Sequence, residues 1–246
     1  MAKFDEEAWG DTVRETVAKE VCGHIEAKQR GQRVDVLDST LAFANRNIAD
    51  IARLVDASAA SCGKAGIACG AGCAACCYVR VSILSAEALN VARHVRERCT
   101  EEERARLLER IDAYVESIAA LPVESRMRHV LACPFLGEDQ RCTIYEARPL
   151  ACRMHHSLSR EACEDAASPV PVIEDFINAT VPVMEGIYNG CGEAGVQTGE
   201  LEFIPAMQIA LEGPNIEERW LAGERVFEKA IDLYLRDYVM RLMAEQ

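Results

Sequence analysis

The stretch Cys69-Gly-Ala-Gly-Cys73-Ala-Ala-Cys76-Cys77 places four thiols within nine residues. As a helix, positions 69, 73, 76 and 77 would share one face. Gly70 and Gly72 favour instead a wrapping loop at the start, with a helix or turn beginning near Ala74. In either form the sulfurs converge. Neighbouring Cys76 and Cys77 cannot both aim at one ion with good geometry. Their adjacency points to two nearby centres, or to one ligand beside one reserve thiol.

Working outward, a second set follows at Cys133, Cys142, Cys152 and Cys163, spaced nine, ten and eleven residues apart. No single helical face holds such spacings, so loops must return to a common point. The two sets make eight cysteines, or two groups of four. Four thiolates complete a structural zinc site or hold an iron–sulfur cubane. Soft thiolates select zinc, copper(I) or iron–sulfur centres over magnesium and calcium. With only five histidines against twelve cysteines, a metal site here is mainly thiolate. Cys22, Cys62, Cys99 and Cys191 stand apart and read as small apolar packing residues. His155 and His156 follow Cys152 and are candidates for a ligand, a proton carrier or a plain hydrogen-bonded side chain. Arg148 and Arg153 flank Cys152; they either offset thiolate charge or pair with Glu146 or Glu161. Ile144 and Tyr145 read as core packing.

The cysteine segments sit in a helical frame. Apolar residues at Val13, Val17, Val21 and Ile25 predict a helix over about 3–28, and a second follows Ser39 or Thr40. Small residues and glycines predict a loop over 61–72. Residues 78–84 (YVRVSIL) are the best short-strand candidate, with Ser85 as cap of a helix to about Arg98. Thr100 with Glu103 predicts a capping box for a helix to about Ala120. Further helices are expected over 172–189 and 201–211, broken by Pro171, Pro182 and Pro205, and from Asn215 to about Met243. The predicted fold is mainly α: one domain over 1–246, a metal-binding core over 69–164 with two cysteine-rich loops, helical flanks at 1–60 and 172–246, and at most one or two short strands.

Composition narrows the function classes. Forty acidic against 27 basic residues give a net charge of −13, which disfavours phosphate backbones and anionic membrane surfaces. No run approaches the ~18–20 apolar residues of a membrane helix. The acidic start of the sequence has no leader-like apolar stretch, so a reducing, cytoplasmic location is expected. There, dense cysteines bind metal or do redox chemistry more often than they form structural disulfides. Disulfide bonding is the remaining alternative.

The motifs CxxxCxxCC at 69–77, CPFL at 133–136, CTIYEARPLACR at 142–153 and EACE at 161–164 resemble the zinc- or iron-chelating cysteine-cluster family, the YkgJ-like proteins. The resemblance spans about 69–164. This chain departs from the family's CxxCxxCC element by one extra residue between Cys69 and Cys73. The resemblance implies metal or iron–sulfur chelation by these eight cysteines. A similar region occurs in flagellin lysine methylases, yet no glycine-rich nucleotide loop follows a strand here. Two function classes follow. One is an iron–sulfur protein with a redox or cluster-dependent enzymatic or accessory role; the other is a zinc-stapled structural module that presents a surface to a protein partner.

Overall fold

The computed structural model describes residues 5–121, 131–165 and 172–231. Helix α1 spans Glu6–Gln29, with Asp5 as its cap accepting the Ala8 N–H at 3.0 Å. Its valines at every fourth position, with Ile25, turn one stripe inward. Helix α2 covers Asp38–Ser61 and strand β1 covers Ser82–Leu84. Helices α3 (Ser85–Arg98) and α4 (Glu101–Ala119) follow, the latter closed by the expected Thr100–Glu103 box. Among its described residues the cysteine-bearing part holds two short α-helices, α5 (Leu150–Arg153) and α6 (Arg160–Glu164). Helix α7 (Glu174–Glu193), strand β2 (Glu200–Glu202), helix α8 (Phe203–Glu212) and helix α9 (Ile216–Leu221) complete the order. The fold is mainly α, and the sheet has two antiparallel strands with Ile83 opposite Leu201.

Helices α1 and α7 form the tightest pair. Glycines 186 and 190 of α7 lie one turn apart on the contact face. A methyl group on Gly190 would stand 2.5 Å from the Ala18 carbonyl oxygen of α1, so only glycine admits this approach. The core runs on from there through Val91 and Val95 of α3, Ile111 of α4 and Met207 of α8. It reaches the cysteine region at Phe135, Ile144 and Leu150.

Several expectations are corrected. The strand is shorter than 78–84, because Ala75–Tyr78 closes into a 3₁₀ turn and β2 offers only three residues to pair with. Ser85 is the first helical residue, not the cap, and its hydroxyl donates to the Gln197 carbonyl at 2.7 Å. Pro182 lies inside an unbroken α7, and Pro205 occupies the first turn of α8, where a missing N–H costs little. Pro171 lies outside the described residues. The helix that begins at Ile216 stops at Leu221 instead of running on, followed by Gly223 at a φ of 86°. Asn215 makes no side-chain cap, and residues 232–246 lie outside the described ones.

Candidate metal centre

The first cysteine segment is built by turns. Gly72 has a φ of 85°, a value that suits glycine, and Cys73 N–H closes back on the Gly70 carbonyl at 3.0 Å. The 3₁₀ turn that follows carries Cys76 and Cys77. The second segment is a tight loop. Thr143 donates both its N–H (2.8 Å) and its hydroxyl (3.0 Å) to the Phe135 carbonyl, and Leu136 bridges Cys142. Gln140 takes a φ of 62° at the tip. The loop is anchored by Phe135, which is 1% exposed and stacks on Phe203 with ring centres 5.3 Å apart.

The two segments meet backbone to backbone. Cys133 N–H donates to the Cys77 carbonyl at 2.8 Å. Further along, Ala68 N–H donates to the Ser157 carbonyl at 2.8 Å, and Ser157 N–H points at the Cys69 sulfur at 3.4 Å. Loops 56 residues or more apart in sequence are thus joined, as the spacing of the thiols requires.

Cys152 rides on α5, a four-residue helix without a side-chain cap at Pro149. It is held from both ends by charged side chains that sequence reasoning passed over or misassigned. Glu87 of α3 is 2% exposed and accepts Leu150 N–H at 2.8 Å on one carboxylate oxygen and Leu84 N–H at 3.1 Å on the other. Burial pushes its pKa up, against the pull of those two N–H groups. Arg153 is buried too, and makes no surface salt bridge to Glu146 or Glu161. It donates to the carbonyls of Arg148 (2.7 Å) and Glu146 (2.5 Å) and to Asn45 Oδ1 (2.5 Å). With Leu84 at the cap position of α3, no capping pattern in the sequence marks Glu87, and its reach to Leu150 is visible only in the fold.

Seven of the eight expected cysteines line one cavity of about 470 Å³: Cys69, Cys73, Cys76, Cys77, Cys133, Cys142 and Cys152. Cys163 stands outside that lining, on α6, within electrostatic reach of Cys69. The thiols act on one another electrostatically across both segments, with Cys76 common to every group. Cys133 and Cys152 each feel Cys76 and Cys142, and Cys142 in turn feels Cys76. Cys69 instead feels Cys73 and Cys163 first, then Cys76. Among the described residues, no three Cys, His, Asp or Glu side chains form the close ligand group of a single ion. A zinc–sulfur distance of about 2.3 Å requires sulfurs only about 3.8 Å apart. The thiols ring a cavity instead.

Burial pushes the Cys133 thiol up to about 12 and raises Cys142, Cys152 and Cys69. The nearby Phe135 and Ile144 N–H groups favour the Cys133 and Cys142 thiolates and oppose this. The adjacent Cys77 thiol holds Cys76 down, with help from the Arg148 charge, and is itself driven up. Arg148 also favours the thiolates of Cys142 and Cys152. Its guanidinium lies 4.2 Å from the centre of the Tyr145 ring, and its Nε is buried without a partner. Tyr145 is 61% exposed, so it is not core packing; Ile144, at 2%, is. His155 and His156 also line the cavity, and burial lowers the pKa of both. His156 stacks on Phe176 at 4.1 Å with its Nδ1 buried and unpaired. Of the isolated cysteines, Cys191 is buried, Cys22 and Cys99 are half-buried and Cys62 is exposed. All twelve cysteines are free, with no disulfide among them.

Residues 68–170 match the CxxCxxCC family, described as "Putative zinc- or iron-chelating domain". The match takes in every cysteine of the cavity and Cys163, and it supports metal binding by this part of the chain. No curated protein and no solved structure matches the chain. Among the described residues no helix is long and apolar enough to cross a membrane.

Proposed function

We propose that this protein holds an iron–sulfur cluster on Cys76, Cys133, Cys142 and Cys152, and performs or assists redox chemistry with it. The observation that carries the reading is the single cavity of about 470 Å³ ringed by sulfurs from both cysteine segments. A polynuclear centre suits thiols that stand around a space; one ion needs them at a point. The donor set fits in chemistry as well. Four thiolates would give the group its ligands, N–H groups already aim at two of the sulfurs, and Arg148 supplies compensating positive charge. Hydrogen bonds to sulfur and local charge are among the levers that set a cluster's potential. When bound, the cluster supplies one-electron transfer.

The chain's own residues do the rest. Glu87 and Arg153 fix the helix that carries Cys152. Phe135 and Ile144 fix the loop that carries Cys133 and Cys142, and buried apolar neighbours limit water at the sulfurs. Cys77, next to Cys76, is a reserve thiol; Cys69 and Cys73 line the same cavity, and Cys163 lies outside its lining within electrostatic reach of Cys69. The free thiols suit a reducing compartment such as the cytoplasm.

The test is purification without oxygen, followed by iron and sulfide analysis of the wild-type chain and of single serine variants. Cys76→Ser, Cys133→Ser, Cys142→Ser and Cys152→Ser should each lose iron and sulfide together, and Cys163→Ser should keep both. A colourless chain carrying only zinc would establish the zinc-stapled module instead.

A further inference from the structure

The same cavity has a wall that the thiols do not use. Val81, at the entry to β1, Tyr114 and Ile118 of α4, and Phe203 and Ile204 of α8 form it. The Arg80–Glu202 ion pair, with nitrogen and oxygen 3.1 Å apart, lies at its margin. Tyr114 shares this lining with Cys133 and with Arg80 and Glu202, and its phenol is within electrostatic reach of all three.

A purely structural metal site has no use for this space, because protein interiors pack to a density of about 0.75. The eight inorganic atoms of a cubane, at roughly the 30 Å³ that a water takes in the liquid, would fill about half of the cavity. What remains exceeds the ~150 Å³ that suffices to bind benzene between Leu, Ile and Phe side chains.

We propose that this part of the cavity binds a small, largely apolar organic molecule, about the size of benzene, in contact with the thiolate-held group, and that the protein's substrate or effector belongs to that class. The inference rests on the iron–sulfur reading for the space the cluster takes and for what the molecule touches.

Toluene is the probe. The metal-loaded chain, purified without oxygen, is mixed with it, and contact is read by saturation-transfer NMR. The wild type should transfer saturation to toluene. Ile118→Trp and Val81→Phe, which fill the apolar end, should weaken binding about fivefold or more, as overpacking by about 1 kcal/mol requires. Leu54→Ala, on the exposed face of α2, should bind as the wild type does. Iron, sulfide and circular dichroism are measured on every sample, so a variant that fails to fold is recognised and the other carries the comparison. No transfer in an iron- and sulfide-loaded wild type overturns the inference and leaves the cluster standing. Undiminished transfer in a folded filled variant overturns it too. Toluene bound by a sample without iron and sulfide upholds the pocket and overturns the cluster.

Discussion

Replacing Glu87 by alanine should unseat Cys152 without touching it. The carboxylate accepts two backbone N–H groups, from Leu84 at 3.1 Å and from Leu150 at 2.8 Å, at a site that is 2% exposed. Hydrogen bonds to charged groups contribute about 1.5–3 kcal/mol each, and a buried N–H left unpaired costs about 1–3 kcal/mol. The variant also escapes the cost of burying a carboxylate, a cost seen in the raised pKa of Glu87. The balance is a net loss of roughly 2–4 kcal/mol, near the top of what single substitutions do. The specific effect lies at Leu150, which opens the helix carrying Cys152. Two assays separate the parts: urea unfolding of the metal-free chain, and the rate at which a chelator removes metal from the loaded chain. Glu87→Gln keeps one acceptor and turns an amide N–H toward the other donor, so it should fall between wild type and alanine in both. A destabilised Glu87→Ala chain that releases metal at the wild-type rate would refute the assignment of Glu87 as the residue that positions Cys152.

Other outcomes follow from the same contacts. Gly190→Ala should destabilise the chain by roughly 2 kcal/mol, since overpacking against backbone falls at the upper end of about 1–3 kcal/mol and helix propensity returns about 1 kcal/mol. The new methyl would meet backbone atoms of α1, the Ala18 oxygen at 2.5 Å and the Cys22 nitrogen at 3.1 Å, so the melting temperature should fall by several degrees. Metal affinity should rise with pH. The Cys133, Cys142 and Cys152 thiols are raised, so each gives up a proton on binding, whereas Cys76 is lowered and gives up less. Competition with a chromophoric chelator should show up to about a thousandfold tighter binding per pH unit near neutrality. A flat profile would contradict the protonated trio. Glu87 works in the other direction: its folded pKa lies above its unfolded one, so its contribution is full below the ordinary carboxylate range and is lost as pH rises through the folded value. Glu87→Gln should remove that part of the pH–stability curve. Cys62→Ala, at an exposed thiol away from the cavity, should leave metal content unchanged.

The sequence reading succeeds where the physics is local. Thr100 and Glu103 close a capping box within one turn, and the α1 valines announce their buried stripe, so both helices lie within a few residues of expectation. The convergence of the cysteines was legible because thiols at such spacings have little reason to occur except together. Misreadings arise where a distant partner decides. The sequence predicts a break at Pro182, yet α7 runs through it, with Gly10 of α1 packed at its ring. For Arg153 the sequence leaves two readings open, thiolate charge compensation and a pairing with Glu146 or Glu161; its hydrogen bonds go to carbonyls, which no sequence pattern displays, and its charge favours the Cys142 thiolate. Tyr145 looked apolar enough for the core, yet it lies at the surface under Arg148. The meeting of the two cysteine segments depends on how Cys133 meets Cys77 and how Ser157 meets Cys69. Those contacts join residues too far apart for any periodicity to reveal.

X-ray absorption at the iron edge, on the chain prepared without oxygen, probes the proposed centre itself. An iron–sulfur cluster predicts a first shell of sulfur alone and a second shell of iron, with the iron shell lost in Cys152→Ser. Iron with only nitrogen and oxygen neighbours, or zinc in a lone sulfur shell at about 2.3 Å, would contradict it.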